Sequence, residues 1–110
     1  TDEEGIITYP TQDTDAYAIR IDGDALKPRI KHGEFIIVEP NTKVESGDEV
    51  IIKSKDGRLL VRTFEYIRDG RLYYTSINEN VLKAVISLEA IEGYFFIAAI
   101  VKAAQWYVAR

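Results

Sequence analysis

Three Asp-Gly dipeptides, at Asp22-Gly23, Asp56-Gly57 and Asp69-Gly70, punctuate the chain, with further breakers at Gly33, Pro40-Asn41 and Ser46-Gly47. Between them lie short runs of branched and aromatic residues: EFIIVE (34–39), DEVIIKS (48–54), RLLVRTFEYI (58–67), RLYYTSI (71–77) and GYFFIAAIVKA (93–103). Short strands at regular turn spacing predict an all-β domain. Asp-Gly favours the left-handed backbone of tight hairpins, so residues 48–77 are expected to form a meander. No heptad or internal repeat is present. A brief helical turn over 26–30 is the most helix that Pro28 permits.

A chain of 110 residues with 46% hydrophobic and 29% charged residues is one globular domain with a single core. It has no cysteine, which excludes disulfides and thiolate metal sites. Its single histidine, His32, leaves too few ligands for a metal centre, so neither a metal nor another cofactor is expected. No apolar run reaches the roughly 20 residues that span a bilayer. The opening TDEEGIITYPTQDTD is acidic and polar, unlike a signal peptide, which gives the expectation of a cytoplasmic protein without a membrane. Residues 1–15 read as a linker-like stub, with 1–12 partly disordered and a further domain upstream; 16–110 form the domain itself.

Net charge is −4, and the densest basic cluster, Lys27, Arg29, Lys31 and His32, reads as a solvated turn. A domain gripping DNA alone carries a basic face, so direct nucleic-acid binding is not expected of this chain.

Four motifs stand in fixed order: Gly23-Asp24-Ala25-Leu26-Lys27-Pro28, His32-Gly33-Glu34-Phe35-Ile36-Ile37-Val38, Ser46-Gly47-Asp48-Glu49-Val50 and Leu60-Val61-Arg62-Thr63-Phe64. Ser76-Ile77-Asn78-Glu79-Asn80 and Ile91-Glu92-Gly93-Tyr94 follow. Over about residues 16–103 the series resembles the C-terminal domain of LexA and the phage repressors, the self-cleaving Ser–Lys peptidases. The resemblance implies a LexA/signal-peptidase-like domain of short antiparallel strands and hairpins. It assigns the motif loop to Gly23, Asp24, Ala25, Pro28 and Gly33, the nucleophile position to Ala25 and the general-base position to Arg62.

Both assigned positions depart from the family pattern. Nucleophilic catalysis needs an attacking atom and a base that accepts its proton. Alanine has no such atom. Arginine, with a pKa above about 12, has no lone pair to offer, whereas a buried lysine can be tuned down. The usual scissile Ala-Gly or Cys-Gly pair is also missing from the sequence. Alanine at 25 alone would fit an engineered inactivation; Arg62, together with Leu26 where methionine is usual, favours natural loss. Ser46, Ser54, Ser76 and Ser87 read as turn and strand-end residues, and the lysines beside Ser54 point to the other face of a strand. Asp22, Asp24 and Glu34 read as loop residues that bond backbone amides. Arg62 itself is expected either to fill the cleft and bond a carboxylate or carbonyl near Asp24 or Ala25, or to sit hydrated on its rim.

The resembled family cleaves itself when a recombinase filament forms, and it self-associates so that paired DNA-binding heads reach operator half-sites. The C-terminal YFFIAAIVKAAQWYVAR is almost uncharged before Arg110. Strict alternation puts Phe95, Ile97, Ala99 and Val101 on one face and Phe96, Ala98, Ile100 and Lys102 on the other, so this strand is either buried between layers or covered by a partner. Tyr94, Phe96, Trp106, Tyr107 and Val108 are the candidate self-association residues, since aromatic side chains dominate interface hot spots.

Three functional classes follow. The favoured one is the self-association domain of a phage-type transcriptional repressor that does not cleave itself. Its partners would be further copies of itself, operator DNA through an upstream helix-turn-helix domain, and an antirepressor or recombinase. The second is an autocleaving Ser–Lys peptidase caught as a serine-to-alanine variant. The third is a ligand- or partner-binding β module unrelated to repression.

Overall fold

The computed structural model describes residues 5–7, 9–78, 82–102 and 106–108. Among these residues nine strands follow one another: β1 (Gly5–Ile7), β2 (Tyr17–Arg20), β3 (Phe35–Glu39), β4 (Glu49–Ser54), β5 (Leu59–Arg68), β6 (Arg71–Thr75), β7 (Lys83–Ser87), β8 (Ile91–Val101) and β9 (Trp106–Val108). Among the described residues the helical content is one 3-10 turn, Leu88–Ala90. The fold is all-β. Seven strands form one antiparallel sheet in the order β2-β3-β8-β4-β5-β6-β7, and β1 pairs with β9 in a separate two-stranded sheet.

The expected meander is present as β4-β5-β6 and continues into β7, a strand the sequence reading left unassigned. Asp69 and Gly70 have φ of 53° and 75° between the paired Arg68 and Arg71, the two-residue hairpin turn that needs positive φ at both central positions. At the β4–β5 turn, the Asp56 carboxylate accepts hydrogen bonds from the Ser54 hydroxyl and the Arg58 side chain. These bonds, the Ser54 one first, hold its carboxyl below the usual carboxylate range.

The centre of the sheet is apolar on both faces. One face carries Ile21, Ile30, Ile36, Val38, Ile51, Val61 and Ile97. Another cluster gathers Val50, Ile52, Phe64, Leu72 and Ile91. A third joins Phe35, Ile37 and Val101. Continuous apolar runs such as FIIV in β3 and VII in β4 are what a strand buried on both sides requires.

Strict alternation fails along β8. Ile37 pairs with Ala99 but Val38 pairs with Ile97, which leaves Ala98 as an extra residue on the β8 side. A bulge of this kind reverses the alternation beyond it. Ile97 and Ile100 therefore share the cluster of Ile36 and Ile51, while Ala99 and Val101 pack with Phe35 and Ile37. β8 is hydrogen-bonded by β3 on one edge and β4 on the other, and it buries Ile97 in the first cluster and Val101 in the third.

The expected linker-like stub is partly structured. Gly5–Ile7 pair with Trp106–Val108, and Asp13 accepts from the backbone N–H and side-chain amide of Asn41 at 2.9 and 2.8 Å. The Asn41 backbone bond is the main cause that lowers the Asp13 carboxyl below its ordinary value.

Gly93 lies under the Phe95 ring, and a Cβ built there would stand 2.6 Å from the ring's Cζ. Gly93→Ala is expected to displace that ring from the core and cost about 1–3 kcal/mol, read as a lower urea midpoint at unchanged slope.

Candidate functional site

The loop from Asp22 to Gly33 is closed at its base by two backbone bonds. Ile21 N–H donates to Glu34 O and Gly33 N–H to Ile21 O, both at 2.8 Å. Its apolar feet, Ile21 and Ile30, are buried in the first cluster, and Leu26 packs on the same cluster. Gly23 and Gly33 both have φ of 88°, a backbone region side chains rarely adopt, so the loop needs glycine at each. Between them the backbone turns twice, with Lys27 N–H bonded to Asp24 O at 3.2 Å and Ile30 N–H to Leu26 O at 3.0 Å. The helical turn expected over 26–30 is thus one hydrogen-bonded turn and no more.

Side chains complete the frame. The lone His32 accepts the Gly23 N–H on Nδ1 at 2.8 Å, which gives that turn histidine a structural task. Glu34 accepts the Lys31 N–H at 2.7 Å. Arg29 makes a two-pronged ion pair with Glu49 at the start of β4, at 2.7 and 2.8 Å. That hydrogen-bonded carboxylate is the main cause that raises the Arg29 guanidinium above its ordinary value. On this frame Gly23, Asp24, Ala25 and Pro28 are exposed, while Gly33 is buried at the base.

Ala25 and Arg62 meet at one cleft. They line a cavity of about 350 Å³ together with Leu26, Val61, Tyr74 and Asn78. Arg62 reaches the cleft from β5, half-buried. Its Nη1 donates to Val61 O at 2.8 Å, and its guanidinium carbon stands 5.9 Å from the centre of the Tyr74 ring. The expected bond to a group near Asp24 or Ala25 is not what forms. The acceptor is a carbonyl on Arg62's own strand, and Asn78 Nδ2 donates to Ala25 O instead, at 3.2 Å. The reason is local: a folded-back guanidinium satisfies one donor without crossing an open cavity.

Chemically, this cleft offers a cation, a side-chain amide, the hydroxyl-bearing side chains of Tyr74 and Ser76, and an apolar wall. At position 25 it offers a methyl group. Among the described residues no group of histidine, cysteine, aspartate or glutamate could hold a metal ion. Nor is any helix among them long and apolar enough to cross a membrane.

Sequence reasoning singled out Ala25 and Arg62 but missed Tyr74 and Asn78. Asn78 stands in the quoted Ser76-Ile77-Asn78-Glu79-Asn80 segment, so the signal for it was present; Glu79 and Asn80 lie outside the described residues. Tyr74 is set by cross-strand register, as the partner of Phe64 on β5, which single-sequence periodicity does not reveal.

The candidate self-association residues lie apart from this cleft in the chain. Tyr94 stacks on Phe64 with ring centres 5.4 Å apart and so is committed to the core. Phe96 is half-buried and outside the three buried clusters among the described residues. Trp106, Tyr107 and Val108 form β9, and their side chains lie outside the described residues.

None of the curated proteins matches the sequence. A family model described as Peptidase S24-like matches residues 3–101, a span that takes in the motif loop, the Arg62 strand and the whole seven-stranded sheet. The chain belongs to the Peptidase S24-like family, the peptidase family of LexA and the phage-repressor C-terminal domains.

Proposed function

We propose that this chain is the self-association domain of a phage-type transcriptional repressor, one that holds copies of itself together without cutting itself. The observation that carries the reading is the meeting of Ala25 and Arg62 on one cleft. These are the positions the family resemblance gives to the nucleophile and the base, and neither side chain can do that work. With hydrolysis removed, self-association is the family task left for the fold. Operator contact falls to a separate DNA-binding domain, in keeping with the net charge of −4.

Phe96 and the β9 residues Trp106, Tyr107 and Val108 are the proposed contact side chains. Tyr94 drops to a supporting position because its ring is stacked on Phe64. In sedimentation equilibrium the wild-type chain is expected to run above monomer mass. Phe96→Ala and Trp106→Ala are each expected to weaken association by a factor of about ten or more, roughly 1.4 kcal/mol, with native circular dichroism. A wild-type chain that stays monomeric at high concentration, or variants of unchanged mass, would contradict the proposal.

A further inference from the structure

The cleft through Ala25 and Arg62 is longer than one side chain. A second cavity, of about 370 Å³, shares Ala25, Leu26, Val61 and Arg62 with the first. The first runs on towards Tyr74 and Asn78, the second towards Ile19 and Ile36. Together they make a trough with Arg62 at its junction, a shape that suits an extended chain.

Among the described residues the charge at that junction has no carboxylate partner. Arg29 is held by Glu49 and Arg58 by Asp56. Among the described residues no carboxylate pairs with Arg62, whose one hydrogen bond goes to Val61 O. A guanidinium has five N–H donors in a fork that matches a carboxylate, and it never gives up its proton in a protein. Arg62 is the one cation lining the first cavity, among the described residues, and the second cavity adds one residue of each sign, Arg20 and Asp22; the net single positive charge balances one carboxylate and falls short of a phosphate dianion. Around it Leu26, Val61 and Ile77 offer an apolar wall. Asn78, its amide nitrogen bonded to Ala25 O, keeps its side-chain oxygen as an acceptor for a peptide N–H.

We infer that this trough binds an extended peptide segment carrying an aspartate or glutamate, with Arg62 pairing the carboxylate and the flanking residues lying on the apolar walls. The two positions at which the site departs from its family then have one joint consequence: the methyl group of Ala25 leaves a bound segment uncut, and Arg62 gives the trough a preference for acid. This inference is independent of self-association, because it is read by peptide titration.

The test is a titration of the isotope-labelled chain, followed by amide resonances, with the blocked tripeptide acetyl-Leu-Asp-Leu-amide. Saturable shifts are expected at Ala25, Leu26, Val61 and Arg62. Affinity is expected to fall about tenfold or more for the same peptide with asparagine, and likewise for the Arg62→Gln chain with the aspartate peptide. If Arg62→Gln loses its dispersed spectrum, the asparagine peptide on the wild-type chain decides. Equal binding of the two peptides, or no saturable shift, would overturn the inference. Inorganic phosphate binding more tightly than the aspartate peptide would overturn it too, by making the site one for free anions.

Discussion

Ala25→Ser alone is expected to leave the chain unreactive towards a serine-directed fluorophosphonate at about pH 9, whereas Ala25→Ser combined with Arg62→Lys is expected to gain a mass adduct at position 25. Introducing a hydroxyl supplies an attacking atom, but a serine beside a guanidinium has no base to take its proton. A lysine on the same strand position brings an amine that a half-buried cleft can deprotonate in part. General-base assistance is worth about 10²- to 10⁴-fold, so the double variant is expected to label at least about 100 times faster than the single. Equal rates would show that Arg62 is not the barrier. An inert double variant would show that the cleft has lost more than two groups.

Ile51→Ala is expected to remove much of the domain's stability. Ile51 is 1% exposed, paired with Val61 on β5 and Phe95 on β8, and packed in the cluster with Ile36 and Ile97. Truncating such a residue costs its transfer energy plus that of the cavity it leaves, about 2–5 kcal/mol, against a total of about 5–15 kcal/mol for an ordinary domain. Val85→Ala on the edge strand β7, where the side chain is 47% exposed, is expected to change stability by no more than about 0.5 kcal/mol. Urea unfolding of the two variants side by side checks this. A loss below about 1 kcal/mol for Ile51→Ala would contradict the placement of this strand at the centre of the sheet. The consequence reaches the cleft, since Ile51 and Val61 both line its second cavity.

Much of this architecture was legible in the sequence because its turn chemistry is explicit. Asp69-Gly70 reads directly as a turn with two positive φ values, and together with Asp56-Gly57 it gives the β4-β5-β6 meander. The loop carrying Ala25 was legible for the same reason, with glycine at each position where φ is 88°. Strand β7 was not. KAVIS is only five residues long, alternates weakly and carries no Asp-Gly signal; it is defined by pairing with β6. The face assignment along β8 failed because one extra residue at Ala98 is invisible to a period-two count. At the site, the cation at Arg62 and the methyl group at Ala25 were readable one residue at a time. What Arg62 bonds was not, because its acceptor depends on how the guanidinium folds back on its own strand. The bond from Asn78 to the Ala25 carbonyl joins residues 53 apart, a closeness that only the tertiary fold supplies.

The proposal's central claim, that this peptidase-family cleft has no hydrolytic chemistry left, is tested most directly on the unaltered chain. Intact-mass spectrometry after prolonged exposure to a fluorophosphonate at about pH 9 is predicted to return the unmodified mass, with Ser46, Ser54, Ser76 and Ser87 all unlabelled. A stoichiometric adduct on any one of these serines would contradict the account.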